Sequence, residues 1–365
     1  MNFSTFSSNT YRNYVLWILV CTGGVIGILF AIGIYLQPLF GDLTRIGFYA
    51  ERDFGWQGTQ YVFADPRLQP DAPLDFHRNN QFQGLDILVI GDSFSRARPE
   101  YQWQNYLIAQ NHLSVMTMDI NQMDIRTVIN SPSFLQHPPR VLIVESVERA
   151  LPWRIKDIVP VCLVSPRHHA VVSLEMGQTV VKHPPIAVSR MVSWRLININ
   201  FVMTFLERSF RWQQHEPSVY ALPLSNPQLF SNRRSGTLLV YGDDVRKPEW
   251  KTQQMSSLNC RINTLQYLVE RRGSTRFILM VAPDKMTAYA PWLVSGYLRE
   301  HSDLLSRLSA LHPAIMPRLD IAMRQSIKAG VRDVYFPDDT HWGWQGQQIA
   351  ATTLIRFFNM NRQSH

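Results

Sequence analysis

The stretch Leu85-Asp86-Ile87-Leu88-Val89-Ile90-Gly91-Asp92-Ser93-Phe94-Ser95 decides the fold. A run of branched apolar residues that stops at Gly-Asp-Ser predicts a strand buried on both faces, with a serine hydroxyl delivered at its carboxyl end. Open α/β sheets place their chemistry at that edge. Gly91 is expected to allow a sharp turn off the strand, Asp92 to cap a following helix, and Ser93 to sit at that helix's amino end. The Ser93 N–H would then face the oxyanion that forms when the hydroxyl attacks an acyl group.

A serine hydroxyl needs a base, and the base needs a carboxylate to orient it. Far downstream, Phe336-Pro337-Asp338-Asp339-Thr340-His341-Trp342 offers both. His341 is the candidate base, and Asp338 and Asp339 are both candidate partners for it. The carboxylate not used in this way is expected to cap a turn or helix.

The chain has 365 residues, enough for one large domain or two smaller ones. Hydrophobic content of 45% and charged content of 18% mark a globular protein. With 36 basic and 28 acidic residues the net charge is +8, which favours anionic surfaces such as phospholipid head groups or acidic polysaccharide. No dense Lys/Arg run or nucleic-acid motif is present, so nucleic acid is not an expected partner. The three cysteines form no C-x-x-C pair and no metal site. Cys162 and Cys260 are free to pair in an oxidising compartment, but sequence leaves that open. Adjacent His168 and His169 point apart and are discounted as ligands. No nucleotide-binding glycine loop occurs, and no cofactor or metal is expected.

From Val15 to Leu36 the chain carries no charge, a length that matches a bilayer-crossing helix. Tyr11, Tyr14, Trp17 and Tyr35 stand near its ends, as interfacial aromatics do. The run is too long for a signal peptide and lacks a cleavage site, so an uncleaved anchor is expected. Arg12 precedes it and Arg45 and Arg52 follow, so charge does not set its orientation. The predicted organisation is a short tail over 1–14, an anchor over 15–36 and an irregular lead-in over 37–84. A catalytic domain built from 85–150 and 252–365 is interrupted by an insertion or lid over 151–251. Further strands are predicted over Ser114–Asp119, Val141–Glu145, Phe277–Val281 and Asp333–Phe336, with helical stretches between them, which implies βαβ units and a parallel sheet. The insertion is rich in proline and holds one apolar helical stretch, Met191–Phe210. Its Trp153, Trp194, Trp212 and Tyr220 are either core residues or platforms for sugar rings.

Gly-Asp-Ser-Phe-Ser and Asp-Thr-His-Trp together resemble the first and last blocks of the SGNH hydrolase superfamily, whose members are esterases and acyltransferases. Within it, the pair is similar to the alginate O-acetyltransferase family of the AlgX and AlgJ type. The resemblance implies an α/β fold of three layers, a parallel sheet flanked by helices. It favours Asp339 as the triad carboxylate by the Asp-x-His spacing of the acetyltransferases, whereas Asp338 fits the Asp-x-x-His spacing of the wider superfamily. Glu148-Arg149 after a strand is like that family's pattern, and Lys285 and Tyr289 resemble its Pro-x-Lys-x-x-x-Tyr feature. Asp92, Arg149, Lys285, Tyr289 and Trp342 are therefore the further candidates for the oxyanion or substrate side of the site.

Two departures stand out. The superfamily's Gly-x-Asn-Asp block is missing, and with it the usual asparagine donor to the oxyanion. In AlgX and AlgJ the Asp-x-His-Trp element precedes the serine, while here it follows. The resemblance implies a periplasmic catalytic domain held at the inner membrane, a polysaccharide acceptor and a membrane-bound O-acyltransferase that hands over acetyl. The acceptor stays open among alginate, sialic acid, cellulose and other exopolysaccharides. A carbohydrate esterase or deacetylase, and a non-catalytic assembly protein of a polysaccharide export complex, are the alternatives.

Overall fold

The computed structural model describes residues 8–36, 41–69, 71–163, 186–189, 218–247, 252–300 and 303–362. Its strands are β1 (Gln60–Val62), β2 (Ile87–Gly91), β3 (Val115–Asp119), β4 (Val141–Val147), β5 (Ile186–Val188), β6 (Val219–Pro223), β7 (Thr237–Tyr241) and β8 (Arg276–Ala282). Four of them form a parallel sheet in the order β3-β2-β4-β8. The register aligns Ile87 with Val115 on one side and with Val141 on the other, and Val141 with Arg276. Every residue of β2, β3 and β4 is buried, as their unbroken apolar runs require.

Alternate residues feed two cores. Ile87, Val89, Ile143 and Ile278 pack with residues of the helices Gln104–Asn111, Leu319–Lys328 and Trp344–Arg362. Leu88, Ile90, Leu142, Val144 and Leu279 pack instead with the helices Leu151–Ile158, Thr252–Glu270 and Leu304–Leu311. Each such side chain contributes about 1.5–3 kcal/mol on burial. Two covered faces hold the sheet stiff, and its carboxyl edge is what remains for chemistry.

The expected strand Asp333–Phe336 is corrected. Its backbone pairs with its own continuation rather than with the sheet. Gly343 N donates to Val334 O at 3.0 Å and Phe336 N to His341 O at 3.0 Å, with an isolated bridge between Tyr335 and Trp342. The result is a tight loop that carries the Asp-Asp-Thr-His segment.

The described parts of the 151–251 region dock on this body. Leu151–Ile158 packs on β4 and on the helix Thr252–Glu270. β5 pairs antiparallel with β1, and β6 with β7. A disulfide joins Cys162 to Cys260, with α-carbons 5.9 Å apart. The Met191–Phe210 stretch, Trp194, Trp212, His168 and His169 lie outside the described residues.

The N-terminal helix, Ser8–Leu36, has 29 residues. Its segment Asn9–Gly33 is long and apolar enough to cross a membrane and is unburied. At its end Tyr35 lies under the Arg52 guanidinium, 4.0 Å from ring centre to charge.

Candidate active site

Gly91 is the last residue of β2, and space rather than turn geometry demands glycine there. A Cβ would lie 2.7 Å from Glu145 Oε2 and 2.8 Å from Ser95 Cβ. The chain then turns through Asp92, whose Oδ1 accepts from Phe94 N at 3.1 Å and whose carbonyl accepts from Ser95 N and Arg96 N. No helix starts at Ser93, since the next α-helix is Gln104–Asn111. The expected helix-end oxyanion site is therefore corrected to an N–H on a tight turn. Asp92 caps that turn and also braces it, its Oδ2 accepting from Val147 N at 2.8 Å and from Arg154. Beneath it Glu145 accepts from Asp92 N at 2.9 Å. Burial, with the Asp92 charge adding, pushes the Glu145 carboxyl well above its usual range. The Ser93 N–H meets no acceptor among the described residues.

His341 Nε2 stands 2.7 Å from Ser93 Oγ, and Nδ1 stands 2.6 Å from Asp339 Oδ1. The same Oδ1 accepts from the His341 backbone N–H at 2.9 Å, which fixes ring and loop together. Phe94 props the imidazole, with ring centres 4.9 Å apart. Burial alone would lower the pKa of His341, but the Asp339 charge and hydrogen bond, reinforced by Asp42 and Asp92, raise it. Asp339 is the converse. Burial works to raise it, while the charge of His341 and hydrogen bonds from His341 and Asp42 hold it well below the usual carboxylate range. Asp338 makes no bond to the imidazole; its carbonyl accepts from Leu43 N and Thr44 N and its side chain is buried.

Ser93, Asp338, Asp339, His341 and Trp342 all line one cleft of about 500 Å³. Trp56, Tyr101 and Phe336 supply its apolar wall, with the Phe336 ring 6.2 Å from Trp56 and 6.5 Å from Tyr101. Arg98 and Gln347 also face it. The Arg98 guanidinium has no ion-pair partner among the described residues. Gln347 is buried, and its Oε1 has no hydrogen-bond partner there.

Three sequence candidates are placed away from this cleft. Lys285 is 1% exposed, and its Nζ donates to the carbonyls of Phe336, Pro337 and Asp339 at 2.7, 2.9 and 3.1 Å. It moors the loop and has no donor left for substrate. Tyr289 is fully buried, its hydroxyl accepting from Tyr335 N and its ring packed on Phe230. Arg149 spends its charge on Asp244 at 3.2 Å and Asp284 at 3.0 Å, and Lys247 joins Asp284 to Glu148 beside it. Of the insertion aromatics, Trp153 is exposed beneath Arg154 and Tyr220 packs against the core, and neither lines the cleft.

Asp42, Asp339 and His341 gather three potential metal-ligand atoms within 4.8 Å of one another. Those atoms are taken. Asp339 and His341 hold each other, and both Asp42 carboxylate oxygens accept from Thr340.

A serine on the turn after the first fully buried strand, with a late Asp-x-His loop closing on it across the edge of a parallel sheet, is an SGNH-like arrangement. Residues 239–364 match the family model described as "SGNH hydrolase-like domain, acetyltransferase AlgX", and the chain is similar to that family over this part. The match supports an acetyltransferase-like role. It contains Asp339 and His341, while Ser93 lies outside it and joins them only through the fold. No curated protein and no solved structure matches the chain.

Sequence reasoning missed Asp42, Trp56, Arg98 and Gln347. Asp42, Trp56 and Arg98 lie in stretches without motif or clear period and Gln347 is a polar position of the C-terminal helix, so only the closing of the chain around Ser93 brings them together.

Proposed function

We propose that the protein is a membrane-anchored O-acetyltransferase that carries acetyl on Ser93 and passes it to hydroxyls of a polysaccharide. The observation that carries this reading is the continuous hydrogen-bonded relay from Ser93 Oγ through His341 to Asp339. His341 Nε2 takes the serine proton as Oγ attacks the carbonyl carbon of the acetyl donor. The oxyanion accepts from the Ser93 N–H. Collapse expels the donor's leaving group, which takes the proton from His341 and leaves acetyl on Ser93. An acceptor hydroxyl then gives its proton to His341 and attacks the acetyl carbon, and Ser93 Oγ departs and is reprotonated.

Trp56, Tyr101 and Phe336 offer flat apolar faces that suit the C–H faces of a pyranose. Arg98 beside them favours an acidic sugar. The N-terminal helix holds the domain at the inner membrane on the periplasmic side, where acetyl-CoA is absent, so a membrane-bound O-acyltransferase supplies the donor. An esterase would use the same residues with water as the acceptor.

The test incubates the full chain in detergent with a small activated acetyl ester and follows intact mass. A single acetyl adduct that is lost in Ser93→Ala and transfers to added oligosaccharide supports the transferase. Rapid turnover without transfer supports the esterase. Absence of both adduct and turnover would overturn the catalytic reading.

A further inference from the structure

We infer that Asp42, on the short helix that follows the membrane-type helix, is a positioning residue for the His341 imidazole and makes the anchor's exit segment part of the site. This rests on the reading of Ser93, His341 and Asp339 as the reacting triad. Asp42 and the catalytic loop hold each other reciprocally. The Asp42 N–H donates to Asp339 Oδ2 at 3.2 Å, the oxygen that His341 does not use. The Asp42 carboxylate in turn accepts from Thr340 N at 2.8 Å and from the Thr340 hydroxyl. Its Oδ2 lies 3.8 Å from His341 Nδ1. Leu43 N and Thr44 N add bonds of 3.1 and 3.2 Å to Asp338 O.

The ordinary reading of an aspartate in a helix's first turn is favourable interaction with the helix dipole. Here the carboxylate reaches across to Thr340, 298 residues away, while the helix Asp42–Gly47 has Gly41 as its N-cap with no side-chain cap bond. The fit is close. A Cβ on Gly41 would stand 1.9 Å from Asp338 O, so only glycine lets this segment lie on the loop. Glu51 fastens the segment from behind, accepting from Gly41 N at 2.9 Å and from the Thr44 hydroxyl.

The charged and titratable groups facing His341 are Asp339 from its own loop, Asp42 from the exit segment and Asp92 from the serine turn. Asp42 itself faces Asp339, His341 and Thr340, with the Lys285 charge behind the loop. Three carboxylates thus bear on one imidazole, Asp339 through a hydrogen bond and Asp42 and Asp92 through space. Residues 37–41 alone separate the end of the long helix from Asp42, a reach of about 20 Å when fully extended. A site braced in this way stays close to the end of that helix, as acceptance of acetyl from a membrane protein would need.

The test uses the full chain in detergent with Asp42→Asn, Asp42→Ala and Asp42→Glu. The His341 titration is read by NMR on histidine-labelled protein, with the signal assigned by its loss in His341→Gln. Asp42→Asn is expected to lower the midpoint by roughly one pH unit, the size of a unit charge near 4 Å in a mostly aqueous setting. Asp42→Glu should restore most of that shift. Asp42→Ala, which also releases Thr340, is expected to slow acylation by the acetyl ester roughly 10- to 100-fold while thermal unfolding stays cooperative. An unchanged His341 midpoint in Asp42→Asn overturns the inference even if the wild-type chain acylates normally. A lowered midpoint in a chain that never acylates upholds the positioning and sinks the acyl-enzyme reading instead.

Discussion

His341 Nε2 lies 2.7 Å from Ser93 Oγ although 248 residues separate the two in the chain. The imidazole serves as a base only when neutral. Burial works to lower its pKa, but Asp339, Asp42 and Asp92 together raise it above the 6.5 of a free imidazole. A raised pKa moves the acid limb of activity upward. The pH profile of kcat/KM for a small acetyl ester should therefore lose activity on acidification with a midpoint above 6.5, and a midpoint at or below that value would contradict the geometry. Stability runs the other way. The contribution from this group is full below the unfolded value and disappears as pH rises through the folded one, which urea unfolding against pH will read.

Only one of the two adjacent aspartates touches the base. Asp339 bonds both Nδ1 and the backbone N–H of His341, whereas Asp338 meets the exit segment through its carbonyl. Asp339→Asn should cut the rate of Ser93 acylation roughly 10³- to 10⁴-fold by losing the tautomer and the counter-charge. Asp338→Asn should cost less than about tenfold, the scale of a modest loop shift. Equal losses in both variants would show that the loop, and not the His341 contact, sets the rate.

The sequence made the frame legible where periodicity was strong. Ile87–Gly91, Val141–Val147 and Arg276–Ala282 are buried runs that admit no other reading, and they carry Ser93 to the sheet edge. Asp333–Phe336 deceived because a β-like residue run says nothing of its partner, and its partner is the next turn of its own loop. Lys285 deceived for a related reason. A lysine after a strand reads as a solvated or substrate-facing charge, and only the carbonyls of Phe336, Pro337 and Asp339, 51 to 54 residues on, reveal its use. The Gly41-Asp42 pair reads only as part of the irregular lead-in until the Asp-Asp-Thr-His loop arrives against it.

Gln347 stands in the first turn of the C-terminal helix, buried, facing the cleft that holds Ser93, and its Oε1 lacks a partner among the described residues. Oε1 is an acceptor, and an unpaired acceptor in a reactive cleft is suited to a bond from a substrate hydroxyl. Gln347→Ala should raise KM for the oligosaccharide acceptor several-fold with little change in kcat, as loss of a ground-state hydrogen bond does. A fall in kcat at constant KM would instead assign the side chain to a bond made only in the transition state.

A mooring lysine and a substrate-binding one differ in what their loss does to stability. Lys285 Nζ is buried and bonds three carbonyls of the loop that carries Asp339 and His341. Burial lowers its pKa to about 8, against the pull of Asp338 and Asp339. Lys285→Met keeps the aliphatic length but takes the ammonium donor away from those buried carbonyls, at a cost on the order of 3 kcal/mol. Lys285→Arg does not rescue it, because the planar fork is larger than the ammonium and aims its donors in one plane. Both variants should lower Tm by several degrees and slow acylation by a small acetyl ester, since the whole triad loop loosens. A lysine that only gripped polysaccharide would leave Tm and small-ester acylation intact and raise KM for the oligosaccharide acceptor alone. That second pattern would return Lys285 to the substrate side of the site and require the loop to be held by its remaining backbone bonds.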